Sequence, residues 1–591
     1  MAENRLRRYR TFLLLVAGLG GLLYGVDVGI IGGALPYLEA TSGLTAGQLS
    51  VIVAAVLLGS VFSTLFAGLF ADWMGRKPLM ALSGATFVLS IPIIALSHGY
   101  APLFLGRLLQ GMSAGFIGVV VPLYLAECLP ASNRGKGTGI FQLLLVLGIV
   151  SAALIGVYYG YRVDAVAKLG DPAALFAFKD SAWRQIFWVS LPPGLLFTIG
   201  ALIVSESPRW LLRRNRRDAA LAALFRSRSQ AEASHELEEM ERNFEEERSK
   251  SSSAVKESLL KRKYILPFLL SCIVLSLHQT TGVDSVIAYN TGILLQSGLS
   301  DLWAHWGYLV YTIVHFGATL IGVALVDRKG RKFLFSIGTG GIVLALAMIG
   351  LLFSRAEKHS TDAHEAIQQQ MSADGTLSLR FTPQMASALG AEAAGIDAKR
   401  AALSVIYSCG DYTAAANTVR SDDPAAKPVT ISQSACLPAN KTEAFFKDPF
   451  AHLDRSRQAP LRIVRATVAA VPTSTNGWLT AIGLYIYTAF YSIGPGICVW
   501  LALSELMPTR IRSNGMSIAL LMNRIVSTTV AGVFLPVVAR YGYSRMFFTF
   551  AAFTVMYFLV TTFLLPETKG RTLEEIESYF EGTATAAEKV F

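Results

Sequence analysis

The chain has 591 residues, of which 53% are hydrophobic and only 16% are charged, with a formal net charge of +11. Soluble domains carry about 25% charged residues, so a string of soluble domains is excluded. The positive charge lies in short clusters between apolar runs, such as Arg5–Arg10, Gly75–Lys77 and Arg328–Lys332. That is the positive-inside signature of cytoplasmic loops, and it argues against nucleic acid as a partner.

Apolar runs of about 20 residues are long enough to cross a ~30 Å hydrocarbon core as helices. The first six are predicted near 12–35, 49–71, 79–97, 102–126, 137–159 and 185–205. The first follows a basic stretch, and no small-residue cleavage site precedes "GLLYGVDVGI", so it reads as a retained span rather than a signal peptide. Asp27 sits in the middle of that span. A carboxylate at the bilayer centre costs about 2.5–3.5 kcal/mol on insertion scales and by default marks function. The loop "DWMGRK" starts at Asp72 and includes Arg76, and the fourth run carries a second charge, Arg107. "ECLPASNR" runs from Glu127 to Arg134, Gln142 interrupts the fifth run, and "SESPRW" supplies Glu206 and Arg209. A charged segment near 206–263, with "HELEEMERNFEEERSK", predicts cytoplasmic linker helices.

The second six runs fall near 264–296, 304–326, 333–353, 477–505, 514–539 and 545–565. They repeat the punctuation of the first six. "DRKGRK" brings Asp327 and Arg331, "ELMPTRIR" brings Glu505 and Arg512, and "PETKG" brings Glu567. Asp72 and Glu127 are 55 positions apart, whereas Asp327 and Glu505 are 178 apart. The excess falls in a polar stretch near 354–476. With the N-terminus in the cytoplasm, this insertion between spans 9 and 10 is extracytoplasmic. Cys409 and Cys436 lie in it and form either a disulfide there or two thiols of an irregular loop. Cys128, Cys272 and Cys498 lie in or beside apolar runs and read as thiols packed between helices.

These motifs, with "GRLLQG", "PLYLAECLPASNRGKG", "GPGICVW" and "LLPETKG" in this order, resemble the sugar porter family of the major facilitator superfamily. The resemblance covers all twelve spans and omits the insertion and the extreme tail. It implies an all-α membrane protein with the major facilitator fold, twelve transmembrane helices in two six-helix halves and an extracytoplasmic insertion. The expected organisation is an N-terminal half at 1–205, linker helices at 206–263, three helices at 264–353, the insertion at 354–476, three helices at 477–566 and a cytoplasmic tail at 567–591. Two halves related by a parallel repeat place a substrate site between them near the midplane.

By resemblance, Asp72, Arg76, Glu127, Arg134, Glu206 and Arg209, with Asp327, Arg331, Glu505, Arg512 and Glu567, latch the halves in the outward-facing state. The alternative is that their basic members only set topology. A sugar suits Gln and Asn amides, with an aromatic ring over its apolar face. Sugar porters bind sugar at the positions of Gln142, Gln279, Trp500 and Asn523. Around span 7 the family reads Gln-Gln, Ser-Gly, Asn and Tyr-Tyr, where this chain has His278-Gln279, Thr281-Gly282, Asp284 and Ala288-Tyr289; by resemblance Asp284, at the place of a sugar-binding Asn, and Tyr289 are expected to contact substrate as well. Arg524 follows Asn523 where many relatives carry Trp. These departures resemble polyol and monosaccharide proton symporters more than glucose facilitators. His278 binds sugar, takes part in proton movement or satisfies a neighbouring helix.

By the same resemblance Arg107 lies beside Asp27, and the pair couples transport to protons. The expected function is alternating-access transport of a monosaccharide or polyol in symport with protons. A passive facilitator and a transporter-like sugar sensor are the alternatives. No Ser-His-Asp grouping, metal-ligand cluster or phosphate-binding loop appears, so neither enzyme activity nor a cofactor or metal is expected. The chain is expected to be a monomer, multi-pass in the plasma (inner) membrane, with both termini cytoplasmic.

Overall fold

Twelve long helices of a computed structural model are apolar enough to cross a membrane. The structure describes residues 2–129, 131–253, 262–372, 376–416, 418–423, 428–438, 452–508, 511–569, 571, 576, 579 and 580. The side chains of 2–3, 131–138, 243–253, 327, 415, 501–504 and 512–514 are not among those described. Spans 1–6 are Asn4–Ser42, Ala46–Met74, Arg76–Ala95, Tyr100–Cys128, Gly139–Ala167 and Pro172–Ile203. Spans 7–12 are Arg262–Ala288, Asp301–Val326, Arg331–Glu357, Ser474–Trp500, Gly515–Tyr541 and Tyr543–Leu564. Span 6 starts well before the apolar run near 185, because its first turns carry Lys179, Asp180 and Arg184 and so hide from hydropathy. Phe62, Leu69, Leu196 and Leu344 stand more than half exposed on their spans, an outer surface suited to hydrocarbon rather than water.

Small residues set the closest packing. A Cβ on Gly25 would stand 1.8 Å from the Leu145 carbonyl oxygen, so spans 1 and 5 touch backbone to backbone. Close approach of this kind supplies dispersion contact where lipid removes the hydrophobic drive.

The two ends of the bundle differ. At the insertion end one apolar core runs through both halves, from Ile30 and Leu35 to Tyr308 and Phe534. At the basic-loop end each half has its own core, one around Leu79 and Val121 and another around Leu275 and Phe335. Hydrogen bonds follow the same division. Tyr37 donates to Asp301 at 2.8 Å, Tyr308 donates to the Gly29 carbonyl at 3.0 Å, and Ser50 accepts from the Leu535 amide at 3.0 Å. His305 Nε2 lies 3.2 Å from the Gly33 carbonyl. The halves are thus sealed together at the insertion end.

The insertion is a folded unit, not an irregular loop. Its strands are β1 (Ser360–Asp362), β2 (Leu377–Leu379), β3 (Ala401–Cys409), β4 (Tyr412–Ala415), β5 (Val419–Arg420), β6 (Val429–Ile431) and β7 (Leu461–Ala470). The main sheet runs β1-β7-β3-β4 with β5 also on β3, and β2 pairs β6 separately; all these pairs are antiparallel. β3 is buried along nearly its whole length, as a central strand should be. β7 alternates on either side of an irregularity at Val464–Arg465, with Leu461 and Ile463 inward before it and Ala466 and Val468 inward after it. Leu403, Tyr407, Ile431 and Val468 anchor a core separate from that of the bundle.

The neck of the insertion is the β1–β7 pair, with Ser360 opposite Ala469. Cross-strand neighbours stand about 5 Å apart, so a short linker can replace 361–468 without moving spans 9 and 10. That deletion is expected to leave a folded protein that still binds substrate, as measured by ligand-induced thermal stabilisation. A well-folded deletion with no binding would contradict the separateness of this core.

Candidate functional site

Spans 7 and 10 are interrupted. In span 7 a helix over Arg262–Thr280 gives way to Val283–Ala288 and then Asn290–Gln296. Gly282 makes the break with φ +84°, a left-handed conformation that glycine adopts without strain, and a Cβ there would meet the Phe550 ring at 2.4 Å. In span 10 the helix stops at Ile493, and Pro495, which has no N–H to continue the ladder, starts the next one. Broken helices near the midplane are where transporters of this construction free polar groups for a ligand. The apolar run predicted over 264–296 gave no sign of the break.

The breaks gather polar side chains. Gln279 Nε2 donates to Asn523 Oδ1 at 3.1 Å, and Asn523 Nδ2 donates to the Leu275 carbonyl at 2.9 Å. That leaves Gln279 Oε1 buried with no hydrogen-bond partner among the described residues. His278 Nε2 and the Tyr491 hydroxyl are 2.9 Å apart, with the Trp500 ring edge-on at 6.2 Å. His278 Nδ1 also has no described partner. Buried polar groups almost always find a partner. An amide oxygen and an imidazole nitrogen left without one, beside an aromatic ring that is 42% exposed, suit a hydroxylated ligand.

The remaining positions divide. Asp284 accepts a short hydrogen bond from Ser527. Tyr289 lies instead in the seal, 3.2 Å from Ser50 of the first half and stacked on Phe534. Gln142 is exposed on span 5 and makes no described hydrogen bond to the Gln279 group. Sequence reading missed Tyr491 and Ser527, which supply partners to His278 and Asp284. It also missed His315, whose Nδ1 lies 3.0 Å from both Thr488 and Ser492. A buried histidine on an apolar span was the available signal. Arg524 Nη2 donates to the Tyr24 hydroxyl at 3.1 Å and so ties span 11 to span 1.

Asp27 and Arg107 face each other inside the first half, each 1% exposed, with Arg107 Nη1 3.9 Å from Asp27 Oδ1. That is an ion-pair distance but too long for a hydrogen bond. The same Nη1 donates to Gln110 Oε1 at 2.6 Å, and the guanidinium lies 5.6 Å from the centre of the Phe187 ring. Neither Asp27 oxygen accepts a hydrogen bond from any described residue.

At the basic-loop end the two halves build the same corner twice. Arg76 Nη2 donates to Glu127 at 3.0 Å, and Arg331 Nη2 donates to Glu505 at 2.9 Å. Glu206 accepts from the amides of Arg76 and Lys77, and Glu567 accepts from those of Arg331 and Lys332. Both carboxylates thereby cap the N-terminus of a span and complement its dipole. Ser207 closes the first corner on Glu127, and Thr568 closes the second on Glu505. Asp72 lies 3.0 Å from Arg76. Burial pushes the Glu206 carboxyl above the usual carboxylate range, while the amides of Ser207, Lys77 and Arg76 pull it back. Each network lies within one half. Arg209 Nε has no described partner, and the side chains of Arg134, Asp327 and Arg512 lie outside the described residues.

Comparison with known proteins agrees with this architecture. The family profile described as "Sugar (and other) transporter" matches residues 13–369 and 460–580, passing over most of the insertion. The chain is 26% identical over 575 residues to the proton myo-inositol cotransporter of Homo sapiens, covering 96% of this chain and 81% of the relative. It is 24% identical over 577 residues to the glucose transporter GlcP of Staphylococcus epidermidis, covering 96% of each. Among solved structures, the inward-open xylose transporter XylE from E. coli superposes with a TM-score of 0.62 at 19% identity, covering 96% of this chain and 98% of that one. With its twelve spans, its doubled corner network and this match over both halves, the chain belongs to the sugar transporter family and is a multi-pass membrane transporter, not an enzyme.

Proposed function

We propose that the protein carries a monosaccharide or cyclic polyol across the plasma (inner) membrane in symport with protons, by alternating access. The observation that carries the reading is the Asp27–Arg107 pair: two ionisable groups sealed in one half, at a separation that leaves the carboxyl without a donor among the described residues. An ionised carboxylate that accepts no hydrogen bond in such a place is costly even beside a cation, whereas a protonated one needs far less compensation. The arrangement therefore suits a carboxyl that holds a proton in this state, with Arg107 turned toward Gln110. Deprotonation draws Arg107 back and resets the carrier. The human relative's name joins a proton to myo-inositol, and the staphylococcal one names glucose, so both ligands belong in the test. Passive facilitation leaves the buried acid without a task.

In this reading the basic-loop end is cytoplasmic, with both termini there, the insertion lies outside, and one chain suffices. The structure is then closed to the outside. His278, Gln279, Asp284, Trp500 and Asn523 bind substrate, joined by Gln142 and Tyr289 as the halves move. Closing the cytoplasmic end brings the two corner networks together as a latch. Cys409 lies opposite Tyr412 in the β3–β4 hairpin, and Cys436 Sγ lies 3.4 Å from the Tyr412 carbonyl. Both cysteines are buried in the core of the insertion, and in the oxidising space outside the cell they form a disulfide.

The deciding experiment is uptake of labelled pentoses, hexoses and polyols into proteoliposomes, with and without an inward proton gradient. Accumulation of at least one of them only when the gradient is present is the expected result; equal, non-concentrative uptake in both conditions favours facilitation. Asp284 sharpens the test. An ionised carboxylate accepts hydrogen bonds but cannot donate, so Asp284→Asn is expected to reorder substrates by KM while leaving the proton requirement intact. An unchanged order together with lost proton dependence would move Asp284 to the coupling role.

A further inference from the structure

The insertion is bolted to the second half. It leaves span 9 after Glu357 and returns at Ser474 through the β1–β7 neck. Arg420 Nη1 donates to the Leu295 carbonyl at 2.7 Å, and Arg400 Nη2 donates to the Pro472 carbonyl at 3.0 Å at the foot of the neck. When the halves move as rigid bodies, the insertion travels with the second.

Its other contacts reach the first half. Lys179 Nζ on span 6 lies 3.0 Å from each carboxylate oxygen of Asp423, which sits just beyond β5. Lys179 is only 8% exposed. β4 packs on span 2 of the first half as well as on span 11 of the second. The three parts meet around a cavity of about 480 Å³, lined by Tyr37, Glu39 and Lys179 from the first half, Asp301 and Tyr543 from the second, and Arg420 from the insertion.

We propose that the insertion is a clamp on the gate at its own end. Through Asp423 it holds Lys179, so the folded insertion stabilises the state in which that end is closed, and the pair breaks each time the end opens. An exposed ion pair contributes little. Here the amine is nine-tenths buried, and separation must expose it to water or leave it without a counter-charge. The clamp sets the balance between closed and open states and touches no substrate. It rests on alternating access, but on neither the proton nor the sugar.

The test uses Ser50→Cys as a reporter, because Ser50 is buried in the seal against Tyr289 and Leu535 of the second half. The purified full chain in nanodiscs is labelled with a bulky, charged thiol reagent, and the parent protein gives the background from its own cysteines. Lys179→Gln and Asp423→Asn are each expected to speed labelling of the reporter about fivefold or more. The 361–468 deletion is expected to do the same. The exchanged pair, Lys179→Asp with Asp423→Lys, is expected to return the rate toward that of the reporter alone. Unchanged labelling in both single variants overturns the clamp, and so does an exchanged pair that labels as fast as the singles. Failure of the proton or sugar reading would appear in the uptake assay and leave these rates where they are.

Discussion

Asp27→Asn is expected to abolish gradient-driven accumulation while sparing substrate binding and exchange across the membrane. Asn is close to the shape of the protonated acid and cannot release the proton. The loaded and empty carriers should then reorient alike, whatever the pH on either side. For one proton per substrate, a gradient of about two pH units can drive at most about hundredfold accumulation, at about 1.4 kcal/mol per tenfold. The variant should fall to equal concentrations inside and out. Counterflow of labelled substrate should remain, because the Gln279–Asn523 group lies in the other half. A folded variant that still concentrates substrate in response to external acid excludes the mechanism.

Gln279→Ala is expected to raise KM by roughly ten- to hundredfold, since leaving a buried polar group unpaired costs about 1–3 kcal/mol. Two partners are affected together. Asn523 Oδ1 loses its donor, and the ligand loses the amide oxygen that no group among the described residues takes up. Asn523→Ala removes the same internal bond from the opposite side. The two residues touch, so the double variant should cost less than the summed singles. Isothermal titration with the transported ligand separates affinity from turnover. Unchanged affinity in folded Gln279→Ala would place the site elsewhere.

Much of this architecture was legible because bilayer and backbone chemistry leave few options. A run of about 20 apolar residues must be a helix in hydrocarbon, and the doubled Asp-Gly-Arg-Lys corners reappear as two matching networks on Arg76 and Arg331. Hydropathy could not show the breaks, because Gly282 and Gly494 are themselves tolerated in apolar runs. The partners of Asp284 and His278 stayed hidden for another reason. Ser527 and Tyr491 lie more than 200 residues away in sequence, and only the packing of spans 7, 10 and 11 brings them close. Tyr289 shows the converse. Its motif position suggested a ligand contact, but the seal toward Ser50 takes its hydroxyl in this state. The insertion's longest strand hid from a period-two search because Val464 and Arg465 break the alternation of "LRIVRA", and a single strand does not announce a sheet until its partners are known.

If Asp27 couples the two movements, proton and substrate enter together, and both fluxes can be recorded at once. Proteoliposomes start with equal pH on both sides and receive, from outside, the substrate identified in the uptake panel. External pH is recorded with a fluorescent dye while labelled substrate is counted inside. The expected result is external alkalinisation that tracks substrate entry in fixed ratio and disappears in Asp27→Asn. Substrate entry in the unsubstituted protein without any proton movement would contradict it.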